Sequence, residues 1–339
     1  MGMLIGGKWT DEDQIIVDGA YQRAQSTILA ENPEALTAAI SAEPNRFMLI
    51  ASRSCPWSHR VVLLCALKQL GIPIHFAFGK RLQGYALNGG RSWQLAGTDK
   101  AFRHLHQVYS LHDPSHTGRV TVPVLWDSAE SRIISNESAD LLALLDQGYT
   151  GNSLDFLLRP PDLLGEIERA NETIYRGLNN AVYRAGFATG QNAYDAAVKD
   201  VFDTLDSLEQ HLATSRYYFG TVVTETDLRL FPTLVRFDAI YAILFKCSLR
   251  RLTDYPNLWA YARDLFALKS VGETVDLGLI RQASYLADSR DPHPIIAIAP
   301  DTNWREQHRR SDLGPTELTL RSGETVAVDP VTLELQSND

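Results

Sequence analysis

The feature that most constrains the fold is an alternation of strand and helix patterns that begins at Arg46. "RFMLIAS" is a short apolar run typical of a buried strand, and "CPWSHRVVLLCALKQLG" follows with helical spacing and stops at Gly71. A second strand ("PIHFAFG"), a helix ("TDKAFRHLHQVYSL") with Thr98 or Asp99 as N-cap, and two further strands ("RVTVPVLWD" and "SRIIS") come next. A last helix begins near Asn136. The Gly-rich stretch "KRLQGYALNGGRSWQLAG" is predicted to loop out.

Strand, helix, strand, helix, strand, strand, helix is the order of a thioredoxin-like α/β domain, which we place at residues 46–150. Beyond Gly148 long helical patterns replace the strand signals, so a separate all-helical domain is predicted at residues 155–290. The predicted fold class is therefore α/β plus all-α.

Two extensions flank these domains, residues 1–45 and residues 291–339. In the second, "TELTLRSGETVAVDPVTLELQ" alternates apolar and polar residues around Ser322-Gly323, which predicts an appended β-hairpin.

The composition disfavours several classes of partner. A formal net charge of −9 disfavours general binding to nucleic acid or to a membrane surface. No apolar run approaches the roughly 20 residues of a membrane span, and the N-terminal "MGMLIGGKWTDEDQ" lacks the basic region of a secretory signal. Three cysteines are an odd number without a disulfide framework, so we expect free thiols in the cytoplasm.

Cys55 is the candidate nucleophile, because it falls where a strand ends and a helix begins. The free amide groups and the positive end of a helix stabilise an anion, so we expect a lowered thiol pKa there, helped by His59 and Arg60. The alternative is a buried structural cysteine, which is how we interpret Cys65 and Cys247.

Ser58 limits what Cys55 can do. A Cys-x-x-Cys pair closes its own disulfide, whereas Cys55-Pro56-Trp57-Ser58 needs an external thiol to release a mixed disulfide. In the cytoplasm glutathione is the most plausible thiol, so the sequence predicts a glutathione site beside Cys55.

Two further segments provide candidates for that site. Val122-Pro123 is predicted to be a cis bond whose preceding backbone pairs with a peptide-like ligand. At the start of the last helix of the α/β domain, Ser138 and the helix amides are expected to bind the γ-glutamyl carboxylate, and Glu137 its ammonium. Simple capping by Ser135 or Asn136 is the other reading of that helix start, and we expect both uses together.

Five stretches together resemble the glutathionyl-hydroquinone reductases, also called Xi-class glutathione transferases, from about residue 46 to about residue 285. They are "SCPWSHR", "GRVTVPVLWD", "IISNESADLL", "LNNAVYRAGFATGQNAYDAAV" and "TETDLRLFPTLVRFDAIYAILFKCSLRRLTDYPNLW". The resemblance implies a thioredoxin-like domain followed by a helical glutathione-transferase domain, a catalytic cysteine and a homodimer. It also implies reduction of glutathionyl-hydroquinones to hydroquinone and glutathione disulfide.

The resemblance assigns roles residue by residue. Cys55 corresponds to the nucleophile, and glutathione-binding positions correspond to Trp93, Val122, Glu137 and Ser138. Tyr183 and Tyr285 resemble tyrosines around the hydroquinone, where a phenol can hydrogen-bond the quinol oxygen. For each tyrosine the alternative is ordinary packing.

This chain also departs from the family pattern. Ser58 replaces the usual alanine, the N-terminal segment is expected to lack the family's aromatic- and arginine-containing run, and the stretch after Tyr285 differs. Two other functions stay open: an Omega-like thiol transferase acting on disulfides, and a non-catalytic ligand-binding protein of the same fold. A zinc site is disfavoured, because His104 and His106 are two residues apart and do not share a helix face.

Overall fold

The computed structural model describes residues 2–11, 15–80, 83–148, 154–289, 291 and 293–336. The helices are α1 (Pro33–Ala42), α2 (Pro56–Lys68), α3 (Leu105–His112), α4 (Ser138–Asp146), α5 (Leu164–Ile174), α6 (Ala181–Phe187), α7 (Gln191–His211), α8 (Glu225–Leu234), α9 (Pro256–Ala267) and α10 (Leu277–Asp288). The strands are β1 (Met3–Ile5), β2 (Lys8–Thr10), β3 (Ile16–Val17), β4 (Ala20–Tyr21), β5 (Phe47–Ala51), β6 (Ile74–Phe76), β7 (Phe78–Lys80), β8 (Gly84–Ala86), β9 (Trp93–Gln94), β10 (Ala101–Phe102), β11 (Gly118–Arg119), β12 (Val124–Asp127), β13 (Arg132–Ser135), β14 (Phe156–Leu157), β15 (Thr316–Leu320) and β16 (Thr325–Val328).

The predicted α/β domain is built on a four-stranded sheet in the order β13-β12-β5-β6. β5 and β6 run parallel, and β12 is antiparallel to both β5 and β13. α2 packs against β5 and α4, and α3 packs against β13. Strand residues such as Leu49 and Leu125, which are opposite each other in the register, are fully buried. This confirms the thioredoxin-like order predicted from the sequence.

One predicted helix start is wrong. α3 begins at Leu105 with His104 as N-cap, and Thr98 lies instead in the turn between β9 and β10. There the Thr98 hydroxyl donates to the carbonyls of Leu95 and Lys100, next to Gly97 in the left-handed region (φ 76°). Thr98 therefore stabilises this turn and is not the N-cap of a helix.

The N-terminal extension is integrated into the fold. β1 pairs with β2 and with β11, and α1 packs on α4. The β3–β4 hairpin contacts α6, and the Gly19 carbonyl accepts from the amide of Thr189 (2.9 Å). The extension therefore bridges the α/β domain and the helical region.

Residues 164–288 form the helical region, α5 to α10, with π-helical segments at Tyr175–Asn179 and Phe237–Tyr241. α8 begins with the capping box of Thr224 and Asp227, and Pro256 occupies the first turn of α9, both favourable positions for these residues. The predicted limits of the two domains meet at residues 150–155, of which 150–153 lie outside the described residues, and those limits stay a prediction.

The C-terminal hairpin is present as predicted. β15 and β16 pair antiparallel, and β15 also pairs with β14, so the hairpin completes a three-stranded sheet. Leu318, Val328 and Leu333 are buried there. Among the described residues, no helix combines the length and the apolar character needed to cross a bilayer.

Candidate active site

Cys55 lies at the N-terminus of α2, as the sequence predicted. It is the N-cap residue, with extended backbone angles, and Pro56 occupies the first turn. The Ser58 amide donates to Cys55 Sγ (3.4 Å), and the thiol donates to the Val122 carbonyl (3.5 Å). Only 8% of the residue is exposed, and it lines a narrow cleft. We call this the cysteine cleft.

The expected lowering of the Cys55 pKa is wrong for the protein without ligand. Burial raises the pKa of the thiol above its ordinary value of 9.0, and the hydrogen bonds from Ser58 and the charge of Arg23 offset this only in part. A thiolate that is buried away from water loses its hydration. The cost of this desolvation exceeds the stabilisation that the helix N-terminus gives to the charged form.

His59 and Arg60 do not supply the expected charge at the sulfur. Arg236 donates to His59 Nδ1 (2.9 Å), so Nε2 carries the proton and donates to Thr274 Oγ1 (2.8 Å). Burial lowers the pKa of His59 well below 6.5, with Arg236 adding to the effect, so the imidazole is neutral. Arg60 instead donates to Asn179 Oδ1 (2.6 Å).

The cation that acts on Cys55 comes from the N-terminal extension, which the sequence analysis left uninterpreted. Arg23 lies over the Trp57 ring, 4.2 Å from its centroid, and lines the cysteine cleft together with Tyr21. The N-terminal extension therefore supplies both an aromatic residue and an arginine to the cysteine cleft. No local pattern marks Arg23, because its position depends on how the β3–β4 hairpin docks against the helical region.

A second, wider cleft adjoins the first and shares Arg23 and Trp57 with it. We call it the polar cleft; its other lining residues include Ser26, Arg60, Glu137, Arg159, Asn171 and Arg229. A ligand that spans both clefts would pass from a polar, charged end to the sulfur of Cys55.

Glu137 is the N-cap of α4, and its carboxylate accepts from the Ala139 amide (3.1 Å) and from the Ser26 hydroxyl (2.8 Å). Burial works against ionisation, but these bonds and the charges of Arg23 and Arg60 hold the pKa of Glu137 below its ordinary value. Ser138, at the first position of α4, donates to the same carboxylate (3.3 Å).

The alternative caps considered for α4 are not used. Asn136 donates to the Tyr109 hydroxyl (3.0 Å), and Ser135 Oγ accepts from the Glu137 amide (3.1 Å), so both side chains fix the turn that precedes the helix. The Val122-Pro123 bond is cis, as predicted, and Val122 lines the cysteine cleft.

Aromatic side chains form one side of the cysteine cleft. The Tyr183 ring lies 6.3 Å from Trp57 and 5.9 Å from Phe187, and Phe187 lies 5.4 Å from Tyr21. All four residues line the cleft. We call these residues the aromatic wall, and it is suited to packing against a flat ring.

Comparison with known proteins agrees with this architecture. Residues 54–147 match the model for the glutathione S-transferase N-terminal domain, and residues 191–264 match that for the glutathione S-transferase C-terminal domain. The glutathionyl-hydroquinone reductase PcpF of Sphingobium chlorophenolicum is 40% identical over 88% of this chain and 96% of its own. The chain belongs to the glutathionyl-hydroquinone reductase family.

Other members of this family are similar over nearly the whole length. The glutathionyl-hydroquinone reductase YqjG of Escherichia coli is 37% identical over 91% of this chain and 98% of its own. The glutathione-bound structure of YqjG has a TM-score of 0.75 at 35% identity, covering 91% of this chain and 99% of that one. A Xi-class transferase structure from Natrialba magadii has a TM-score of 0.79 at 30% identity, covering 92% and 97%.

The structure brings together some of the residues to which the family resemblance gave roles, and not others. Cys55, Val122 and Tyr183 line the cysteine cleft, and Glu137 lines the polar cleft. Pro123 lies between Val122 and β12, in the cis bond that precedes the strand.

Trp93 and Tyr285 are not among the described residues that line either cleft. Trp93 stacks on His75 with the ring centroids 4.1 Å apart, because the β9–β10 hairpin holds it beside β6. The buried Tyr285 hydroxyl faces the segment around Ala297, and α10 contributes Ala287 and Asp288 to the cysteine cleft instead. In the protein without ligand both side chains pack against neighbouring residues, and their predicted roles stay predictions.

Besides Arg23, the cleft residues missed from the sequence include Tyr85 and Arg119. Tyr85 lies in the Gly-rich stretch that was predicted to loop out, and Arg119 in the short strand β11. Among the described residues, no group of three or more His, Cys, Asp or Glu side chains is placed to hold a metal ion.

Proposed function

We propose that this protein is a glutathione-dependent reductase that removes glutathione from glutathionyl-hydroquinone-type aromatic conjugates, giving hydroquinone and glutathione disulfide. The observation that carries the proposal is a single thiol, Cys55, at a helix N-terminus between a polar cleft and an aromatic wall. The family relationship supports the same reaction.

Glutathione fits the two clefts in one orientation. Its γ-glutamyl end would lie in the polar cleft, with its ammonium group near the Glu137 carboxylate. Its α-carboxylate would approach the N-terminal amides of α4, and the Ser138 hydroxyl would have to turn from Glu137 to donate to it. The peptide backbone would then pass Val122 and place the glutathione sulfur beside Cys55.

The aryl group would then lie against the aromatic wall. Tyr183 is suited to hydrogen-bond a quinol oxygen, because burial raises its pKa well above 10 and keeps its hydroxyl protonated. Trp57 and Phe187 offer apolar faces to the ring.

The reaction proceeds in two exchanges at sulfur. In the keto tautomer of the conjugate, the ring carbon that carries sulfur has taken a proton. The Cys55 thiolate attacks the glutathione sulfur, the carbon–sulfur bond breaks, and its electron pair moves to the ring oxygen as a phenolate, which water protonates. A second glutathione, as thiolate, attacks the Cys55–glutathione disulfide, releasing glutathione disulfide and the Cys55 thiolate. One conjugate and one glutathione thus give one hydroquinone and one glutathione disulfide.

The test is to incubate the protein and glutathione with glutathionyl-menadiol or with a cysteinyl-glutathione disulfide, and to measure glutathione disulfide. We expect turnover of the aromatic conjugate. Turnover of the mixed disulfide alone would favour the Omega-like thiol transferase, and turnover of neither would favour the ligand-binding alternative.

We also propose a cytoplasmic homodimer. Free thiols at Cys55, Cys65 and Cys247 fit a reducing compartment, and the homodimer is the assembly that the family resemblance implied. Light scattering on the eluted protein checks the mass, which is twice the 37.8 kDa of one chain if the dimer forms.

A further inference from the structure

We infer that a third cleft of the molecule binds a small aromatic anion, such as an aryl carboxylate or an aryl sulfonate. The cleft lies mainly between residues 263–273, which comprise the end of α9 and the segment after it, and residues 304–308 of the C-terminal extension. We call it the extension cleft. Among the described residues it shares no lining side chain with the cysteine cleft or the polar cleft, so the inference does not depend on the proposed function.

Two aromatic rings form part of the extension cleft. Phe266 and Trp304 both line it and are half-buried, with their ring centroids 5.7 Å apart. Trp304 stands edge-on against Trp259 (4.7 Å), and Gly272 packs so closely on Phe266 that an added Cβ would lie 2.9 Å from the ring. These contacts hold the two rings in place while part of each ring surface stays accessible to a flat apolar group.

A cation without a salt bridge lies beside these rings. The Arg305 guanidinium carbon is 5.6 Å from the ring centroid of Phe266, and the exposed arginine lines the cleft. It forms no ion pair within the described part of the chain, in contrast to Arg263, which pairs with Glu306 (3.1 Å). A guanidinium stays charged at every relevant pH, so Arg305 is available to an anion that enters the cleft.

The net charge of the extension cleft is opposite to that of the whole chain. Among the described side chains that line it, three are cationic and two are anionic: Arg263, Lys269 and Arg305, and Glu273 and Glu306. Burial lowers the pKa of His308 below its ordinary value of 6.5, so the remaining ionisable group is neutral at pH 7. A positive balance within a chain whose formal net charge is −9 favours an anionic ligand at this place.

Both sides of the extension cleft are held by hydrogen bonds. Arg263 donates to the Glu306 carboxylate and to the carbonyls of Glu306 and Gln307 (both 3.4 Å), which attaches the extension to α9. On the other side the Lys269 amide donates to the Pro330 carbonyl (2.8 Å). A site that is fixed before binding loses little conformational entropy when a ligand enters.

An aromatic anion would use both features of the cleft at once. Its ring would pack on Phe266 and Trp304, and its anionic group would accept hydrogen bonds from Arg305, whose planar guanidinium suits a carboxylate or a sulfonate. An uncharged aromatic compound would lose the ion pair, and an aliphatic anion would lose the ring contacts. The cleft therefore selects for the combination of ring and charge.

The experiment titrates the full chain with 2-naphthoate by isothermal calorimetry, and compares Arg305→Gln, Arg305→Glu and Trp304→Leu with the unchanged protein. Arg309→Glu is the matched control, because Arg309 is exposed in the same segment and lines none of the three clefts. Arg305→Glu should weaken binding by about tenfold or more, and Arg305→Gln and Trp304→Leu by several-fold. Arg309→Glu should change the affinity by less than about twofold. The uncharged 2-naphthamide should bind the unchanged protein about tenfold more weakly than 2-naphthoate.

Three results would overturn the inference. They are no binding of 2-naphthoate to the unchanged protein, binding that Arg305→Glu leaves intact, and equal weakening by Arg305→Glu and Arg309→Glu. Substitution of an exposed arginine should keep the melting temperature within about 2 °C, so the Arg305 variants decide the question even if Trp304→Leu does not fold. Turnover of glutathionyl-menadiol is not part of this measurement, and failure of the proposed function would leave its outcome unchanged.

Discussion

The thiol of Cys55 experiences two opposing influences, burial and a helix N-terminus. Burial raises its pKa above 9.0, while the Ser58 amide and the Arg23 charge favour the thiolate. The position of the Arg23 charge therefore affects the reactivity of the sulfur. A bound ligand that moves Arg23 would change that reactivity.

Alkylation of the free protein by iodoacetamide measures this balance. The rate at Cys55 should be low at neutral pH and rise through and above pH 9, since the folded thiol holds its proton to a higher pH than an ordinary thiol. Arg23→Gln should move the midpoint up by about one pH unit, because a charge that favours the thiolate is lost. Arg23→Lys is the charge-matched control; a midpoint that stays in place in Arg23→Gln would contradict this account.

Removal of the sulfur separates binding from chemistry. Cys55→Ser should lower turnover by at least about 1000-fold, whereas calorimetry should still detect glutathione binding. Cys65→Ala is the control, because burial raises the pKa of Cys65 to about 12 and leaves it unreactive. Appreciable turnover by Cys55→Ser would rule out a covalent role for this residue.

At the scale of elements, the N-terminus of α4 combines a structural cap with a binding group in one residue. Glu137 accepts from Ala139 and Ser26, and its charge faces the polar cleft. Two substitutions distinguish these tasks, since glutamine retains an acceptor oxygen but loses the charge, and alanine loses both.

We expect Glu137→Gln to leave the free energy of unfolding within about 0.5 kcal/mol, and Glu137→Ala to lower it by about 1 kcal/mol. Both should weaken glutathione binding by at least about tenfold, because a charge-assisted hydrogen bond to the ammonium is lost. Calorimetric titration and urea unfolding measure the two quantities. Wild-type affinity in Glu137→Gln would show that the carboxylate serves α4 alone.

α2 is also joined to the helical region through a neutral histidine. His59 accepts from Arg236 and donates to Thr274, and Arg236 donates to the Arg53 carbonyl (2.9 Å). Because the folded pKa of His59 lies well below its unfolded value near 6.5, the unfolded chain binds the proton first as the pH falls.

The stability from this contact should therefore be present above about pH 6.5 and be lost below it. Urea unfolding between pH 7 and pH 5 should show a falling free energy of unfolding, with a smaller slope in His59→Gln, whose amide can make both hydrogen bonds without titrating. Other buried histidines also contribute to the pH dependence. The quantity to measure is therefore the difference in slope between the unchanged protein and His59→Gln. Identical slopes would exclude His59 as a contributor.

At the scale of the whole molecule, the C-terminal extension holds distant parts of the chain together. The Val223 amide donates to the Glu317 carbonyl (3.0 Å), and β15 pairs with β14 at the junction of the two domains. Arg310 donates to the carbonyls of Leu212 and Arg216 (both 2.7 Å) at the end of α7. The extension is thus part of the folded unit.

Removal of residues 315–339 exposes the sites that Leu318, Val328 and Leu333 cover, each worth roughly 1.5–3 kcal/mol. We expect the melting temperature to fall by about 10 °C or more. Ile298→Ser, at a position that is 91% exposed, is the control and should change it little. A truncated protein that melts within about 2 °C of the full chain would show that the hairpin is an independent appendage.

The sequence by itself determined the features that local patterns encode. These features are the order of strands and helices, the position of Cys55 at a helix N-terminus and the hairpin around Ser322-Gly323. Each depends on neighbours within a few residues. The cis Val122-Pro123 bond was predicted from the order of the elements instead, because a proline before a strand of a thioredoxin-like fold is often cis.

Only the tertiary structure decided the electrostatics and the composition of the site. Burial in the folded protein raises the pKa of Cys55. Arg23, Tyr85 and Arg119 line the cysteine cleft although they are distant from Cys55 in the sequence. Trp93 and Tyr285 lie outside both clefts. The burial of a site residue and its contacts with other side chains depend on which distant segments of the chain pack together. Hydrophobic periodicity specifies which face of an element is buried, but not which side chain from another segment will meet it.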